Sequence, residues 1–153
     1  MDTSEVTAVS LPDNFASNQQ RLEEAKRERY RVLQKVQDLC TTGQRSLVIP
    51  FLMVNMQHNP ALKKIRLWQL DAIMFNQSKY IALKTIRHMR ETIGDQSTVK
   101  DGYADLGWAL ENKNATVRMT TWLYRLLERE KITTFELPEG FPLTMLYETG
   151  DEN

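Results

Sequence analysis

Apolar positions recur every three or four residues through much of the chain, which is the spacing of one face of an α-helix. The clearest series begins near residue 17 and ends at Thr41-Thr42-Gly43, where a glycine is typical of a helix C-terminus. Its apolar stripe consists of Leu22, Ala25, Arg29, Val32, Val36 and Leu39, widened by Leu33 and Cys40. The opposite face carries Arg27, Arg31 and Gln34. The pattern therefore predicts a long, basic, amphipathic first helix.

Three shorter helical stretches follow in the middle of the chain. Pro50 suits the first turn of an apolar helix that opens at residues 49–50, because the N–H that proline lacks has no intrahelical partner there. His58-Asn59-Pro60 ends that helix, and residues 62–73 form the next helical stretch. Residues 75–78 predict a turn. Ser78 is then the expected N-cap of a helix over residues 79–93, which Gly94 closes.

The last third of the chain predicts a second helical unit. Residues 103–110 suggest a short helix, residues 111–114 a turn, and residues 116–131 a stronger helix. Residues 132–135 are β-branched and aromatic enough to form a strand. Helix, turn, helix and strand fit a small winged helix, but a helical hairpin with no DNA function gives the same pattern. The fold class we expect is all-α, with a helical hairpin or small winged helix at the C-terminal end.

These patterns divide the chain into four segments. Residues 1–16 have no apolar period and predict a disordered acidic arm. Residues 17–94 form the main helical module, and residues 95–137 the hairpin or winged helix. Residues 138–153 predict an acidic tail with an apolar patch at residues 141–147, which could fold back or bind another protein.

The formal net charge is zero, but the charges are unevenly distributed. Residues 1–16 carry a net charge of −3, and residues 17–94 hold 14 Lys and Arg against 6 Asp and Glu, a net charge of +8. Residues 95–131 are balanced, and residues 132–153 have 5 acids and no base. A basic body of this kind attracts polyanions, because each neutralised phosphate releases counterions. We therefore expect double-stranded DNA as a partner, with the acidic ends as possible competitors for the same surface.

The residue pattern gives little support for a catalytic or metal-binding site. The few glycines form no phosphate-binding loop, and the carboxylates are mixed with bases rather than clustered. His58, His88 and Cys40 lack zinc-site spacing, and Cys40 lies on an apolar helical stripe. We therefore expect no catalytic residue, no metal and no cofactor. The single cysteine, the absence of a signal-like N-terminus and the short apolar runs predict a cytoplasmic protein without a membrane partner.

Residues 20–93 resemble the actinobacterial integration host factor family. The likeness lies in Gln20-Arg21-Leu22-Glu23-Glu24-Ala25-Lys26-Arg27-Glu28-Arg29, where a basic triplet falls on Lys26, Arg27 and Arg29, and in Leu62-Lys63-Lys64-Ile65-Arg66-Leu67. The spacing from there through Lys79, Ala82 and Ile86 is also similar. The family's hairpin glycine is replaced here by Ser78, and the first helix is several residues longer before its loop.

The resemblance implies a fold and a function. The fold is a long basic N-terminal helix packed beside a compact helix–two-turns–helix body. The function is that of a nucleoid-associated, architectural DNA-binding protein, which bends or compacts DNA, assists DNA recombination and needs no cofactor. Together with the charge pattern, it indicates these DNA-binding residues: Lys26, Arg27, Arg29, Arg31, Lys35, Lys64, Arg66, Ser78 and Lys79. Ser78 would offer a hydroxyl and a helix N-terminus to a phosphate.

Two other functions fit the same sequence. A phage- or plasmid-type transcriptional regulator would read DNA with the C-terminal helix-turn-helix, whose polar side offers Thr116, Arg118, Thr120 and Arg125. A protein–protein adaptor would instead use residues 95–153 to bind another protein. The first would depend on Arg118 and Arg125 for DNA binding, and the second would bind no DNA.

Overall fold

The structure is a computed structural model that describes the backbone of residues 2–111 and 113–132 and the side chains of residues 15–111 and 113–132. The described part contains these α-helices: α1 (Asp2–Thr41), α2 (Val48–His58), α3 (Leu67–Phe75), α4 (Lys79–Ile93), α5 (Leu106–Leu110) and α6 (Ala115–Glu130). Short 3₁₀ helices occur at Arg45–Leu47, Pro60–Lys64 and Asp101–Tyr103. The predicted all-α class is confirmed. Most of the predicted wing strand and the whole acidic tail lie outside the described residues.

Helix α1 begins earlier than the sequence pattern predicted. It starts at Asp2, so the backbone of residues 2–16 is helical where we expected a disordered arm. No helix in the described ranges combines the length and the apolar content needed to span a membrane.

The ends of three helices follow from backbone conformation. α1 ends at Gly43, whose positive φ of 77° allows Gln44 N–H to donate to the Leu39 carbonyl at 2.7 Å. Gly94 ends α4 in the same way, so the predicted bounds of that helix are confirmed. Lys131 adopts the left-handed conformation after α6, although it carries a side chain. Ile132 N–H then donates to the Leu127 carbonyl at 3.1 Å.

The predicted helix over residues 62–73 is interrupted. Ile65 and Arg66 are extended, and they separate the 3₁₀ helix Pro60–Lys64 from α3. Leu67 N–H donates to the Ala104 carbonyl and Leu106 N–H to the Ile65 carbonyl, both at 2.9 Å. These long-range hydrogen bonds replace the intrahelical ones, and no local periodicity could reveal them. For the same reason the predicted helix over residues 103–110 is shortened to α5.

The core crosses the predicted boundary between residues 94 and 95. α4 packs against both α3 and α6, and α5 packs against α6. One cluster of buried apolar side chains runs from Val32 in α1 to Leu126 in α6. Its largest fully buried member is Trp122, which lies in the predicted C-terminal segment of residues 95–137. The C-terminal helices therefore share a core with the basic module, and the two predicted units are not separate in packing.

Candidate nucleic-acid interface

The basic block of α1 lies where this helix leaves the body. Val32 and Val36 are buried against the other helices, whereas residues 15–24 are exposed on every side. Lys26, Arg27, Arg31 and Lys35 are exposed, and Arg29 is half-buried. The stripe that buries Val32 and Val36 leaves Arg27, Arg31 and Lys35 facing outward, because successive helical positions are about 100° apart.

The basic side chains of α1 make few internal contacts. Lys26 lies 3.8 Å from Glu23 and Arg31 lies 2.7 Å from Glu28, both as exposed pairs on one helix face. Exposed pairs of this kind contribute little stability, so phosphate oxygens can replace the carboxylates. Within the side chains that the structure describes, Arg27 and Lys35 have no hydrogen-bond or ion-pair partner.

Arg29 has a structural contact of its own. Its Nη1 donates to the Ala61 carbonyl at 3.3 Å, and one helical position earlier Glu28 accepts a hydrogen bond from Asn59 Nδ2 at 3.2 Å. The first contact joins α1 to the 3₁₀ helix Pro60–Lys64, and the second joins it to Asn59, the N-cap of that helix. The structure therefore brings the α1 basic block next to the segment that carries Lys64. Lys64 is exposed.

Arg66 and Lys79 lie over aromatic rings. The Arg66 guanidinium is 4.7 Å from the centre of the Tyr103 ring, and Lys79 Nζ is 4.6 Å from that of Trp68. A ring face holds a cation in place but uses none of its N–H donors in a conventional hydrogen bond. These two cations are therefore ordered and still able to bind an anion. Because Arg66 and Trp68 lie two residues apart at the start of α3, both cations belong to one region.

Ser78 is exposed and caps α4 as predicted. Its hydroxyl oxygen accepts a hydrogen bond from Ile81 N–H at 3.2 Å, and its φ of −69° is one that any residue adopts. The hydroxyl hydrogen stays available to donate to a phosphate. A glycine is therefore not required by the backbone at this position.

Replacing Ser78 tests its capping role. Ser78→Ala should lower the free energy of unfolding by about 1 kcal/mol, because one N–H in the first turn of α4 loses its acceptor. Ser78→Gly should lower the free energy of unfolding by only about 0.3 kcal/mol, since water reaches the exposed N–H groups more easily. Urea denaturation of the two variants measures both effects, and equal stability of wild type and Ser78→Ala would contradict the assignment.

The predicted recognition surface on α6 is wrong at Arg118. Arg118 is 4% exposed, lies 2.9 Å from Asp95 and donates to the Trp108 carbonyl at 3.0 Å. Arg125 donates to Thr92 Oγ1 and to Glu128, each at 2.8 Å. The sequence placed these arginines on a polar outer face, but that face packs against α4 and the loop after it. Arg118 is not available to read a base.

Arg118 belongs to a buried ionic network that the sequence did not indicate. Asp95 accepts hydrogen bonds from Arg118 at 2.9 Å, from Arg90 at 3.0 Å and from Ser97 Oγ at 2.7 Å. Arg90 also lies 2.9 Å from Asp101 and donates to the Val99 carbonyl. The network fixes the loop after α4 against α6.

A second buried pair joins α3 to α6. Asp71 is fully buried, and both of its oxygens accept hydrogen bonds from Arg129, at 2.8 and 2.6 Å. Arg129 also donates to Thr85 Oγ1 at 2.9 Å. Hydrogen bonds with Asp71 raise the pKa of Arg129 above its ordinary value against the opposing effect of burial. An acid inside the largely apolar α3 was the sequence signal for this pair.

The ionic contacts make the stability of the fold dependent on pH. Burial alone would raise the pKa of Asp95, but hydrogen bonds from Ser97 and Arg118 and the charges of Arg118 and Arg90 lower it. The pKa of Glu130 is lowered as well. Burial alone would raise it, but hydrogen bonds from Gln77 and Arg129 and the charge of Arg129 lower it. A carboxyl group with a lowered pKa in the folded state stabilises the fold above its unfolded pKa, and this stabilisation disappears as the pH falls through the folded pKa.

The free energy of unfolding should therefore decrease as the pH falls below the ordinary values of 4.5 for Glu and 3.8 for Asp. Urea denaturation at a series of pH values from neutral to acidic measures this decrease. The Asp95→Asn variant should show a smaller decrease, because it lacks one of the two groups. A wild-type stability that stays constant on acidification would contradict the assignment.

The histidines and the cysteine do not form a site in the structure. His58 and His88 are exposed, and Cys40 is half-buried in α1. Burial raises the pKa of the Cys40 thiol, and Arg45 opposes that effect in part. In the described ranges no group of three or more His, Cys, Asp or Glu residues is placed to hold a metal ion. An open groove of about 390 Å³ between α4 and α6 has mixed charge, with Lys84 and Glu128 among its lining residues.

The excess positive charge lies on the surface. All 20 Lys and Arg residues, but only 12 of the 20 acids, belong to the residues whose side chains are described. Three arginines and three acids occupy the two buried networks and cancel each other: Arg90, Arg118, Arg129, Asp71, Asp95 and Asp101. The net charge of +8 therefore comes from the remaining, more exposed groups. Six of the predicted DNA-binding residues lie on α1 and the 3₁₀ helix Pro60–Lys64. Of these, Arg27, Lys35 and Lys64 have neither an acidic partner nor another hydrogen-bond partner among the described residues.

The chain matches no known protein-family model, no curated protein and no solved structure. The resemblance to the actinobacterial integration host factor family therefore stays a prediction from the sequence.

Proposed function

We propose that this protein is a non-catalytic, architectural DNA-binding protein that binds the phosphate backbone of double-stranded DNA with low sequence specificity. The observation that carries the proposal is the net charge of +8 on the exposed part of the body, concentrated near the junction of α1 and the 3₁₀ helix Pro60–Lys64. The buried networks use as many bases as acids, so they leave this excess undiminished. An exposed cationic surface of this kind attracts DNA through counterion release.

Two groups of cations would contact two stretches of backbone. Lys26, Arg27 and Lys35 would follow one stretch along α1. Lys64, Arg66 and Lys79, with the Ser78 hydroxyl, would bind a second, and bending the duplex would bring both within reach. The exposed cations form no set with a clear base-reading geometry, so specificity is low. The resemblance to the integration host factor family supports the same function, with a cytoplasmic, nucleoid location and a role in DNA recombination.

A mobility-shift assay with short duplexes of random sequence tests the proposal. Six phosphate contacts, one for each of the six cations, should lower the affinity by about 10³-fold between 50 and 200 mM salt. Two unrelated duplex sequences should bind about equally well. The proposal fails if the full chain does not shift the duplexes at low salt, or if its affinity is insensitive to salt.

A second candidate function is that of a protein–protein adaptor. The observation in its favour is the outer face of α2 and the turn before it, where Leu47, Met53 and Val54 are about half exposed. Apolar side chains exposed together can mark a protein interaction site. Met53→Asp with Val54→Asp should leave DNA affinity nearly unchanged if these residues serve only a protein partner. Loss of DNA binding by this variant would place the two functions on one surface.

A further inference from the structure

Exposed tyrosines accompany the cations of the predicted interface. Of the four tyrosines whose side chains the structure describes, three are more than half exposed, and Tyr124 on α6 is partly buried. Each of the three exposed tyrosines lies beside predicted DNA-binding residues: Tyr30 between Arg29 and Arg31 in the sequence, Tyr80 directly after Lys79, and Tyr103 against the guanidinium of Arg66. Aromatic rings contribute most when they are packed, so rings left open beside cations indicate a binding surface.

Two of these tyrosines lie in one region with two cations. Lys79 and Tyr80 form the start of α4, and the 3₁₀ helix that ends at Tyr103 packs against the same helix. The start of α3 contacts both places, because Arg66 lies over the Tyr103 ring and Trp68 lies under Lys79 Nζ. We call the set of Arg66, Lys79, Tyr80 and Tyr103 the tyrosine–cation surface.

The rings of the tyrosine–cation surface are open to a flat ligand. Tyr80 is 73% exposed, and Tyr103 is 59% exposed although Arg66 lies against its ring. The guanidinium of Arg66 is itself planar and can stack on an aromatic group. A ligand that combines a flat ring with a negative charge would therefore meet both kinds of group that this surface offers.

The acids near this surface have other partners. Asp101 lies 2.9 Å from both Arg87 and Arg90. Asp105 accepts a hydrogen bond from Trp108 N–H at 2.8 Å, at the start of α5, where the N–H groups of the first turn favour a carboxylate. Neither carboxylate forms an ion pair with a cation of the tyrosine–cation surface within the described side chains. The two cations therefore remain able to bind a phosphate.

We propose that the tyrosine–cation surface binds unpaired nucleotides of DNA, with bases stacked on Tyr80 and Tyr103 and phosphates held by Arg66 and Lys79. The inference rests on the proposed DNA-binding function and names the part of the DNA that this surface recognises. A paired duplex keeps its base faces inside its own stack, so it can use only the cations. Every base has a face that can stack, so this recognition tolerates any sequence.

Affinity for DNA with unpaired bases tests the inference. Each stacked base typically raises affinity by at least about 5-fold, so two bases should give a preference of about 10-fold or more. Fluorescence anisotropy of the full chain should show this preference for a duplex with a short central run of mismatched thymines over a fully paired duplex of equal length. A single strand of thymidines should likewise bind about 10-fold more tightly than an abasic strand, which has the same phosphates and no bases.

Tyrosine variants separate stacking from the greater flexibility of mismatched DNA. Tyr80→Ala with Tyr103→Ala should bring the ratio of mismatched to paired affinity close to one. Tyr80→Phe with Tyr103→Phe keeps both rings and should keep the preference. Phe15→Ala is the matched control, because it removes a ring that is 66% exposed and lies outside the surface, and it should also keep the preference. Urea denaturation should be similar in all variants, because the replaced side chains are exposed.

The outcomes distinguish this inference from the function on which it rests. Equal wild-type affinity for mismatched and paired duplexes, or for thymidine and abasic strands, would overturn the inference and leave the proposed function standing. A preference that survives in the double alanine variant would also overturn it. A full chain that binds none of these DNA ligands at low salt would overturn the proposed function, and the inference with it.

Discussion

Replacing Arg27, Lys35 and Lys64 together by glutamine is expected to weaken duplex binding by about 10²–10³-fold near 0.1 M salt. Each lost phosphate contact removes about 0.9 from the slope of log affinity against log salt, so the slope should decrease by about 3. The three side chains are exposed and have no partner within the described residues, so the fold should be unaffected. Fluorescence anisotropy with a labelled duplex over a salt series measures both quantities.

The matched control replaces Lys100, Lys113 and Lys131 by glutamine. These lysines are also exposed, and the control changes the net charge by the same amount. It should weaken binding far less, because its charges lie outside the predicted interface. Equal losses in the two triple variants would mean that only total charge matters and that α1 and the 3₁₀ helix provide no defined interface.

The second large effect concerns stability. Asp95→Asn is expected to lower the free energy of unfolding by about 3 kcal/mol, because it leaves the buried Arg90 and Arg118 without their shared carboxylate. The side chains of Asp95 and Arg118 are both 4% exposed, so water cannot replace the lost acceptor. Urea denaturation at neutral pH measures the loss.

Asp38→Asn is the control for this substitution. Asp38 is exposed, and its carboxylate has no partner among the described side chains, so the same chemical change should alter stability by less than about 0.5 kcal/mol. A similar result for the two variants would contradict a structural role for the buried network. DNA affinity of the folded Asp95→Asn variant should be close to that of wild type, because the network contains no residue of the predicted interface.

Much of the fold follows from local pattern. The stripe of α4, its Ser78 cap and Gly94 together gave both ends of that helix correctly, because each signal acts within one or two turns. The split between the 3₁₀ helix and α3 could not be predicted in the same way. It depends on the hydrogen bonds of Leu67 and Leu106 across about forty residues of chain.

In the candidate interface, too, the features set by local pattern were predicted, and those set by distant contacts were not. Periodicity in α1 placed Arg27 and Arg31 on an outer face, and both are exposed in the structure. The error at Arg118 arose because a charged residue on a helix predicts exposure unless its partner is known. Asp95, its partner, is 23 residues away in sequence. Ion pairs that form only on folding are therefore invisible to periodicity, and they determine which basic residues stay available to DNA.

The most direct test of the DNA-binding proposal is the reactivity of each lysine with an acetylating reagent, measured by mass spectrometry with and without duplex DNA. The account predicts strong protection of Lys26, Lys35, Lys64 and Lys79 by DNA and little change at Lys100, Lys113 and Lys131. Protection should disappear at high salt, because counterions then compete for the phosphates. Uniform protection, or protection confined to Lys113 and Lys131, would contradict the assignment of the interface to α1 and its neighbours.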